Sequence, residues 1–376
     1  MKDLVRSIGL MSGTSMDGID VAVIETDGTR VAARGPSMTF PYDSRMRDLL
    51  AQAIVQARDI RERRQRPGVL GDVERTLTEQ HAHAVSAFLT RHGIARETIE
   101  VMGFHGQTVL HNSEAGLTVQ LGDGPLLAEL TQVPVVYDLR ARDMELGGQG
   151  APLVPVYHRA MLDGIGPRPV ALVNVGGVAN VTWINAEGEL VAFDTGPGNA
   201  LIDDWMATHG GRTYDEDGAL AAAGRIDDEV VRSFCDHAYF AAPAPKSLDR
   251  NAFSLDAMAG MRVEDGAATL TAITAETIAR SQAHMPETPR LWIISGGGRK
   301  NSTLMRMLSD RVAAKVVKAE AAGFDGDSIE AEAWAFLAVR SLRGLPITFP
   351  GTTGIQAPAC GGVYAGPSGR SPRPSP

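Results

Sequence analysis

GLMSGTSMDGIDVAVIE, residues 9–25, is the stretch that decides the fold of this 376-residue chain. Apolar residues at 8–11 and 19–24 flank a loop of glycine, hydroxyl and acidic residues, a pattern that predicts a β-hairpin. Glycines let backbone N–H groups approach phosphate oxygens, and a neighbouring carboxylate can hold a phosphate-bound Mg²⁺. The loop therefore has the composition of a phosphate site. It lacks the lysine of a P-loop, and a glycine-bearing hairpin taken alone is more often only a turn.

Composition places the chain among ordinary globular proteins and argues against several functions. Hydrophobic residues make up 44% and charged residues 22% of the sequence, and the length fits two domains. The formal net charge of −9 argues against a nucleic acid as the main partner, because that binding depends on Lys and Arg. The two cysteines, Cys235 and Cys360, are far apart and are expected to be reduced thiols. With no long apolar run, we expect a cytoplasmic protein that does not bind membranes.

The first half of the chain shows alternating strand and helix patterns. Strands are predicted at 38–40, 101–105, 117–121 and 133–137, and helices at 44–66, 69–92 and 126–131. Polar residues at 105–108 and His111 follow a buried strand, where side chains commonly face a ligand cleft. Arg140, in the loop after the strand at 133–137, suits a carboxylate or phosphate. A salt-bridged turn is an equal alternative for that loop.

The second half repeats the pattern of the N-terminus. Gly and Pro at 164–169 indicate a domain junction. Strands are predicted at 170–175, 181–184, 190–193, 291–295 and 312–317, and helices after Asp194 through Trp205, within 216–240, and at 270–283, 301–308 and 329–342. The repeated strand-turn-strand suggests two related sheets that face one nucleotide. Three glycines, Gly296–Gly298, follow a buried strand and are a second nucleotide signal, although a tight βα turn would explain them equally well.

The acidic candidates for chemistry are Asp17, Asp194 and Glu330. Asp194 could instead be a helix N-cap, and Glu330 could simply complement a helix dipole in the first turn. His105 and His111 are possible bases, although histidines at such positions more often satisfy hydrogen bonds. Residues 13–16 match the nucleophile motif of subtilisin-like proteases at Ser15, but in that family the Asp and His partners precede the serine, so we reject that interpretation.

Seven motifs resemble the anhydro-N-acetylmuramic acid kinase family. They are GLMSGTSMDGID (9–20), HGQT (105–108), LGDGPLLAEL (121–130), GGQGAPL (147–153), NVGGVAN (174–180), FDTGPGN (193–199) and SGGG (295–298). The resemblance covers nearly the whole chain in order and places it in the sugar kinase, Hsp70 and actin superfamily. It implies an α/β fold of two ribonuclease-H-like, actin-like ATPase domains flanking a nucleotide cleft, at 1–165 and 166–365, with a disordered tail at 366–376.

The resemblance also implies a reaction, in which ATP, water and the 1,6-anhydro sugar give N-acetylmuramate 6-phosphate and ADP. Asp194 occupies the position of the family's general base, and Glu330 that of a second carboxylate that helps to position the water. An ordinary sugar kinase acting on a free hydroxyl, or a nucleotide-gated binding or assembly protein on the same fold, are the competing hypotheses.

The remaining implied site residues fall into three groups, and a homodimer is expected from the resemblance alone. The ATP-binding group is Gly13, Thr14, Ser15, Met16, Asp17, Gly18, Ile19, Asp20, Gly176, Gly177, Gly296, Gly297, Gly298 and Asn301. The sugar-binding group is His105, Gly106, Gln107, Thr108 and Arg140. Asp17 is the expected Mg²⁺ ligand, and the loop at 246–250 is expected to help build the site. Tyr137 departs from the family, in which smaller residues are common there.

Overall fold

The computed structural model describes residues 3–13, 16–249 and 252–368. Thr14, Ser15, Arg250 and residues 369–376 of the expected tail lie outside the described residues. The chain divides into two compact units. Unit 1 comprises Met1–Asp163 and Ser328–Pro376, and unit 2 comprises Gly164–Asp327. No helix within the described ranges is long and apolar enough to cross a membrane.

Twelve strands and thirteen α-helices form the described fold. The strands are β1 Val5–Ser12, β2 Gly18–Thr26, β3 Val31–Pro41, β4 Ile99–Asn112, β5 Leu117–Leu121, β6 Val135–Tyr137, β7 Val170–Val175, β8 Val178–Ile184, β9 Leu190–Pro197, β10 Leu291–Ser295, β11 Lys315–Lys318 and β12 Val363–Ala365. The helices are α1 Ser44–Ala57, α2 Leu70–His92, α3 Gly124–Thr131, α4 Ala141–Glu145, α5 Pro155–Met161, α6 Ala200–Trp205, α7 Ala219–Ala223, α8 Asp228–Cys235, α9 Ala238–Ala241, α10 Val263–Arg280, α11 Ser302–Ser309, α12 Ile329–Leu342 and α13 Pro350–Thr353.

Both units contain the same sheet plan. In unit 1 the strand order is β12-β6-β4-β1-β2-β3, with β5 paired to β4. In unit 2 it is β11-β10-β7-β8-β9. Each sheet joins an antiparallel meander of three strands to strands that run parallel to the first of the three. The predicted α/β class, the opening hairpin and the duplication of the sheet are therefore confirmed.

Helix α12 closes one face of the unit 1 sheet by direct approach of its backbone. A Cβ added at Gly9 on β1 would lie 1.7 Å from the Ala331 carbonyl oxygen, and one at Gly103 on β4 would lie 2.0 Å from the Trp334 carbonyl oxygen. The Ser7 hydroxyl donates to the Ala335 carbonyl oxygen at 3.0 Å. Helix α12 thus belongs to unit 1, although the resemblance implies that it lies in a C-terminal domain spanning 166–365.

Three local predictions need correction. Helix α1 ends at Ala57 instead of near 66, because the next residues form turns in which the Gln65 side chain accepts the N–H of Arg61 at 2.8 Å. Strand β4 continues through the residues expected to form a loop at 105–108, because β5 pairs with it from Gln107 onward. Asp194 lies inside β9 and does not cap a helix, since α6 begins at Ala200.

Candidate active site

The opening hairpin is anchored to β4 by polar side chains. The Ser12 hydroxyl donates to Gln107 Oε1 at 2.7 Å and lies 2.9 Å from the Tyr42 hydroxyl. Gln107 Nε2 donates to the Gly13 carbonyl oxygen at 3.0 Å, and the Gln107 side chain is fully buried. Gln107 therefore fixes the start of the loop, a role that the motif spacing did not reveal because the contacts join residues far apart in sequence.

Only part of the predicted ATP loop has loop structure. Met16 has a positive φ of 54° and its N–H donates to the Gly13 carbonyl oxygen at 3.1 Å, which closes a turn. Gly18 and Ile19 already belong to β2 and are buried. A Cβ at Gly18 would lie 2.5 Å from the Phe40 carbonyl oxygen, so this position needs glycine for close packing against β3.

Two carboxylates follow this turn. Asp17 is exposed, and its carbonyl oxygen accepts the Tyr42 N–H at 2.9 Å. Asp20 Oδ1 accepts the Thr39 hydroxyl at 2.5 Å. Within the described ranges, no group of three or more His, Cys, Asp or Glu side chains could hold a metal. Asp17 and Asp20 offer carboxylate oxygens, which are the ligands that Mg²⁺ typically takes from a protein together with substrate phosphates.

His105 and Arg140, both predicted to hold the sugar, contact each other in unit 1. Arg140 Nη2 lies 3.1 Å from His105 Nε2, and Arg140 Nη1 donates to the Gly150 carbonyl oxygen at 2.8 Å. His105 Nδ1 lies 2.6 Å from the Gly106 carbonyl oxygen, so the proton is on Nδ1 and Nε2 accepts from the arginine. Burial and the charge of Arg140 lower the pKa of His105 to about 3. His105 is thus a neutral acceptor that orients Arg140.

A cavity of about 290 Å³ opens beside these residues in unit 1. It is lined by Arg63, Arg64, Arg66, Phe104, His105, Gly106, Gln120, Leu121, Gly122, Tyr137, Asp138 and Val363. Arg63 forms an ion pair with Asp138, and Arg66 pairs with Glu74 at 2.8 Å. The Thr108 hydroxyl accepts from Gln120 Nε2 at 3.2 Å, which links the fourth residue of the HGQT motif to the cavity wall.

The three arginines of this cavity were missed in the sequence analysis. The basic run at 61–66 was interpreted as the end of helix α1, and only the turn after Ala57 brings it to the sheet. A run of four arginines so close to a predicted helix end was the available signal.

The glycine turns predicted to bind ATP in unit 2 lie side by side. They follow β7 and β10, which are neighbouring parallel strands. The Asn199 N–H donates to the Gly176 carbonyl oxygen at 2.7 Å, and Asn199 Nδ2 donates to the Val175 carbonyl oxygen at 3.1 Å. Gly177 and Gly297 are exposed. These two glycines therefore expose backbone at the carboxyl ends of parallel strands, the usual ligand edge of such sheets.

Three of the predicted ATP residues in this region have structural reasons for their identity. Gly296 has a φ of +72°, and a Cβ there would lie 2.3 Å from Asn174 Oδ1. A Cβ at Gly298 would lie 2.3 Å from the Val175 Cγ1. Asn301 caps α11, where its Oδ1 accepts the Leu304 N–H at 2.9 Å. The side chain of Asn301 is therefore engaged with its own helix, and its contact with ATP stays a prediction.

Asp194 is half-buried and is held by α9 and the segment that follows it. Its Oδ2 accepts the Leu248 N–H at 2.8 Å, and its carbonyl oxygen accepts the Tyr239 hydroxyl at 2.6 Å. Its own N–H donates to the Lys246 carbonyl oxygen at 3.0 Å. The Leu248 contact orients the carboxylate, and the other two contacts hold the backbone of Asp194. They also show that residues of the predicted 246–250 loop pack directly around Asp194, although the prediction named no individual contact.

Glu330 lies half-buried in the first turn of α12 in unit 1, so the two predicted catalytic carboxylates belong to different units. The neighbouring Glu332 is buried and structural. It accepts from the Ser328 hydroxyl at 3.1 Å and from the Tyr157 hydroxyl, and it pairs with Arg34 at 3.4 Å. Nothing in the local sequence pattern separates Glu332 from Glu330, since both lie in the first turn of α12.

Comparison with known proteins gives one consistent result. The family model described as anhydro-N-acetylmuramic acid kinase matches residues 5–366. A protein of that name from Rhizobium etli is 51% identical over 369 residues, which cover 97% of this chain and 100% of the relative. Another from Rhodopseudomonas palustris is 51% identical over 365 residues, which cover 96% of this chain and 100% of the relative. One from Agrobacterium fabrum is 50% identical over 370 residues, with 96% and 99% covered.

Solved structures are similar at a much lower level. The activator of the 2-hydroxyisocaproyl-CoA dehydratase from Clostridium difficile with bound ADPNP has a TM-score of 0.45 and 12% identity, with 89% of this chain and 94% of that chain covered. A polyphosphate/ATP-glucomannokinase from Arthrobacter has a TM-score of 0.39 and 13% identity, with 89% and 98% covered. The family match and the relatives of about 50% identity decide the assignment: this chain belongs to the anhydro-N-acetylmuramic acid kinase family.

Proposed function

We propose that the protein uses ATP and water to open the 1,6-anhydro ring of anhydro-N-acetylmuramic acid and to phosphorylate O6, giving N-acetylmuramate 6-phosphate and ADP. Membership of the family makes it an ATP-dependent kinase, and the shared name of the relatives supports this substrate. The reaction would serve peptidoglycan recycling in the cytoplasm. A homodimer is the oligomeric state that we propose on the same grounds.

The chemistry requires a base near the anomeric carbon. Water attacks C1 while the C1–O6 bond breaks, and O6 forms a bond to the γ-phosphorus as the bond between that phosphorus and the ADP oxygen breaks. A carboxylate takes the proton of the attacking water, as in inverting glycoside hydrolysis. The leaving oxygen of the first bond is thus the nucleophile for the second.

The placement of Asp194 is the observation that carries the proposal. A helix cap would have explained this aspartate without chemistry, but the residue lies within β9 and its carboxylate is oriented by the Leu248 N–H. A half-buried carboxylate oriented by a backbone N–H suits proton abstraction from a bound water. Glu330 is proposed as the second carboxylate that orients this water.

The two substrates are assigned to the remaining predicted residues. We assign ATP phosphates to the turn at 13–17 and the base and ribose to the glycine surface at 176–177 and 296–298. The cavity lined by His105 and Gly106 is assigned to the sugar. Because the guanidinium of Arg140 already binds His105 and Gly150, the exposed Arg64 at the cavity is the better partner for the lactyl carboxylate.

Mg²⁺ would be held by Asp17, with Asp20 nearby on β2, and by the phosphates of ATP. When bound, the ion neutralises charge on the transferring phosphoryl group. The residues of the turn at 13–17 would keep the phosphates aligned, and Asp194 would take the proton of the attacking water.

Isotope transfer tests the hydrolytic step. In ¹⁸O-water, the product is expected to carry one label at the anomeric oxygen and none in the phosphate. An unlabelled anomeric oxygen would instead identify an ordinary sugar kinase that phosphorylates a free hydroxyl. ATP turnover with anhydro-N-acetylmuramic acid, N-acetylmuramic acid and simple hexoses measures the preference directly.

Asp194→Asn tests the base. We expect kcat to fall at least about 100-fold, the lower end of what a general base contributes. Asp228→Asn, an exposed aspartate in the first turn of α8, is the matched control and should keep its rate. Unchanged phosphoryl transfer by a folded Asp194→Asn variant would refute the assignment of the base.

A further inference from the structure

Lys246 is a buried cation in unit 2 that no carboxylate neutralises among the described residues. The residue is 8% exposed. Its Nζ donates to the carbonyl oxygens of Tyr239 at 3.0 Å and Phe240 at 3.1 Å and lies 3.3 Å from His284 Nε2. The ammonium also lies 4.8 Å from the centre of the Tyr239 ring. Burying such a charge costs stability unless something else is gained.

The groups that hold Lys246 are the groups that hold Asp194. The Tyr239 carbonyl oxygen binds Nζ, and the Tyr239 hydroxyl donates to the Asp194 carbonyl oxygen. On the other side, the backbone of Lys246 accepts the Asp194 N–H, and Leu248, two residues later, donates to Asp194 Oδ2. The ammonium therefore ties both ends of the segment 239–248 together around the carboxylate.

We propose that Lys246 is a positioning residue for Asp194, whose ammonium locks the segment 239–248 against β9 and so keeps the carboxylate in its reactive orientation. The inference rests on the proposed function, in which Asp194 is the base. Lys246 itself makes no contact with the reacting atoms in this account. It acts through Tyr239 and Leu248.

The geometry gives the proposal a pH signature. Burial lowers the pKa of Lys246 to about 8. The titratable groups that face it are His284 on the segment after α10, Tyr239 on α9, whose pKa burial raises, and Asp194 on β9. Deprotonation removes the charge that binds two carbonyl oxygens and an aromatic ring, so kcat is expected to decline above about pH 8.

This decline does not come from unfolding of the protein. The folded-state pKa of Lys246 lies below its unfolded value of 10.5, so the unfolded chain binds more protons between about pH 8 and 10.5. Stability from this group therefore rises with pH in that window. A fall in kcat together with an undiminished unfolding midpoint is the result that a merely structural lysine would not give.

The test compares kcat between pH 6.5 and 9.5 for the wild type, Lys246→Met and Lys315→Met, the last being an exposed lysine on β11. Lys246→Met is expected to lower kcat about 10- to 100-fold, as loss of an outer positioning group typically does, and to abolish the alkaline decline. Lys315→Met should retain both the rate and the decline. A folded Lys246→Met variant with the wild-type rate, or with the decline preserved, overturns the proposal.

Two further measurements cover the other outcomes. In an Asp194→Asn background, Lys246→Met should add no further loss, and additive losses would contradict action through Asp194. The backbone ¹⁵N–¹H signal of Leu248 should titrate with a midpoint near pH 8 in the wild type, and a signal that does not move overturns the proposal even if Lys246→Met fails to fold. That signal needs no turnover, so failure of the wild type to act on the anhydro sugar refutes the proposed function separately.

Discussion

Replacing Gly9 with alanine tests whether α12 is held against the sheet by backbone contact. The new Cβ would lie 1.7 Å from the Ala331 carbonyl oxygen and 2.6 Å from the Ala335 N. Since non-bonded atoms need about 3.5 Å, the helix must move by about 1.5 to 2 Å or the strand must bend. Neither backbone can rotate away as a side chain could.

Overpacking of this kind costs about 1 to 3 kcal/mol, and the approach of two backbones puts Gly9→Ala at the upper end. For a unit of this size, about 3 kcal/mol corresponds to a fall in Tm of roughly 6 to 12 °C. Because α12 also carries Glu330, the variant that remains folded is expected to lose up to about 100-fold in kcat, the effect of an ångström-scale misplacement.

Gly71→Ala is the matched control. Gly71 lies in α2, and a Cβ there would meet nothing within 4 Å. This substitution should stabilise the helix by up to about 1 kcal/mol. Differential scanning calorimetry gives the Tm of both variants, and ATP turnover gives their kcat. Equal Tm values for Gly9→Ala and the wild type would refute the packing argument. A lower Tm with an unchanged kcat would show that the position of α12 does not affect catalysis.

Two other predictions follow from the buried groups of unit 1. Arg140→Lys removes the fork that binds His105 and Gly150 and should lower kcat about 10- to 100-fold, whereas Arg142→Lys, on an exposed residue, should change it less than about twofold. Acid should destabilise the fold below about pH 6.5, because burial lowers the folded-state pKa of three histidines and the unfolded chain binds protons first. The free energy of unfolding from denaturant titrations should therefore be lower at pH 5 than at pH 7 by about 1 to 2 kcal/mol for each histidine. The three are His81, with a pKa of about 4, and His105 and His158, each with a pKa of about 3. A pH-independent midpoint in the denaturant titrations would contradict this view.

Elements defined by local periodicity were predictable from the sequence. Helix α2 agrees with the predicted helix at 69–92 because its apolar face repeats at helical spacing and Gly93 ends it in the left-handed conformation. The hairpin β1–β2 was equally predictable, since its two apolar runs flank a loop of small residues. Each of these signals lies within one segment of chain.

Relations between distant segments were not predictable. The alanine-rich sequence of α12 indicates a buried helix but does not say which sheet it covers, and only the glycines on β1 and β4 resolve this. The extension of β4 past His105 depends on pairing with β5. At the site, the motifs predicted His105 and Arg140. The contact between the Arg140 guanidinium and His105 was not predictable, because it depends on the packing of segments that are distant in sequence.

The closure of unit 1 by α12 has a consequence for how the protein is made. The Ser7–Ala335 hydrogen bond joins residues that are 328 positions apart, so β1 leaves the ribosome long before the helix that covers it exists. All of unit 2 is synthesised in the interval and has its own sheet and core. Unit 2 can therefore fold on the nascent chain while unit 1 still exposes the face of its sheet that α12 will cover. Surface that is exposed in this way during synthesis is prone to aggregation.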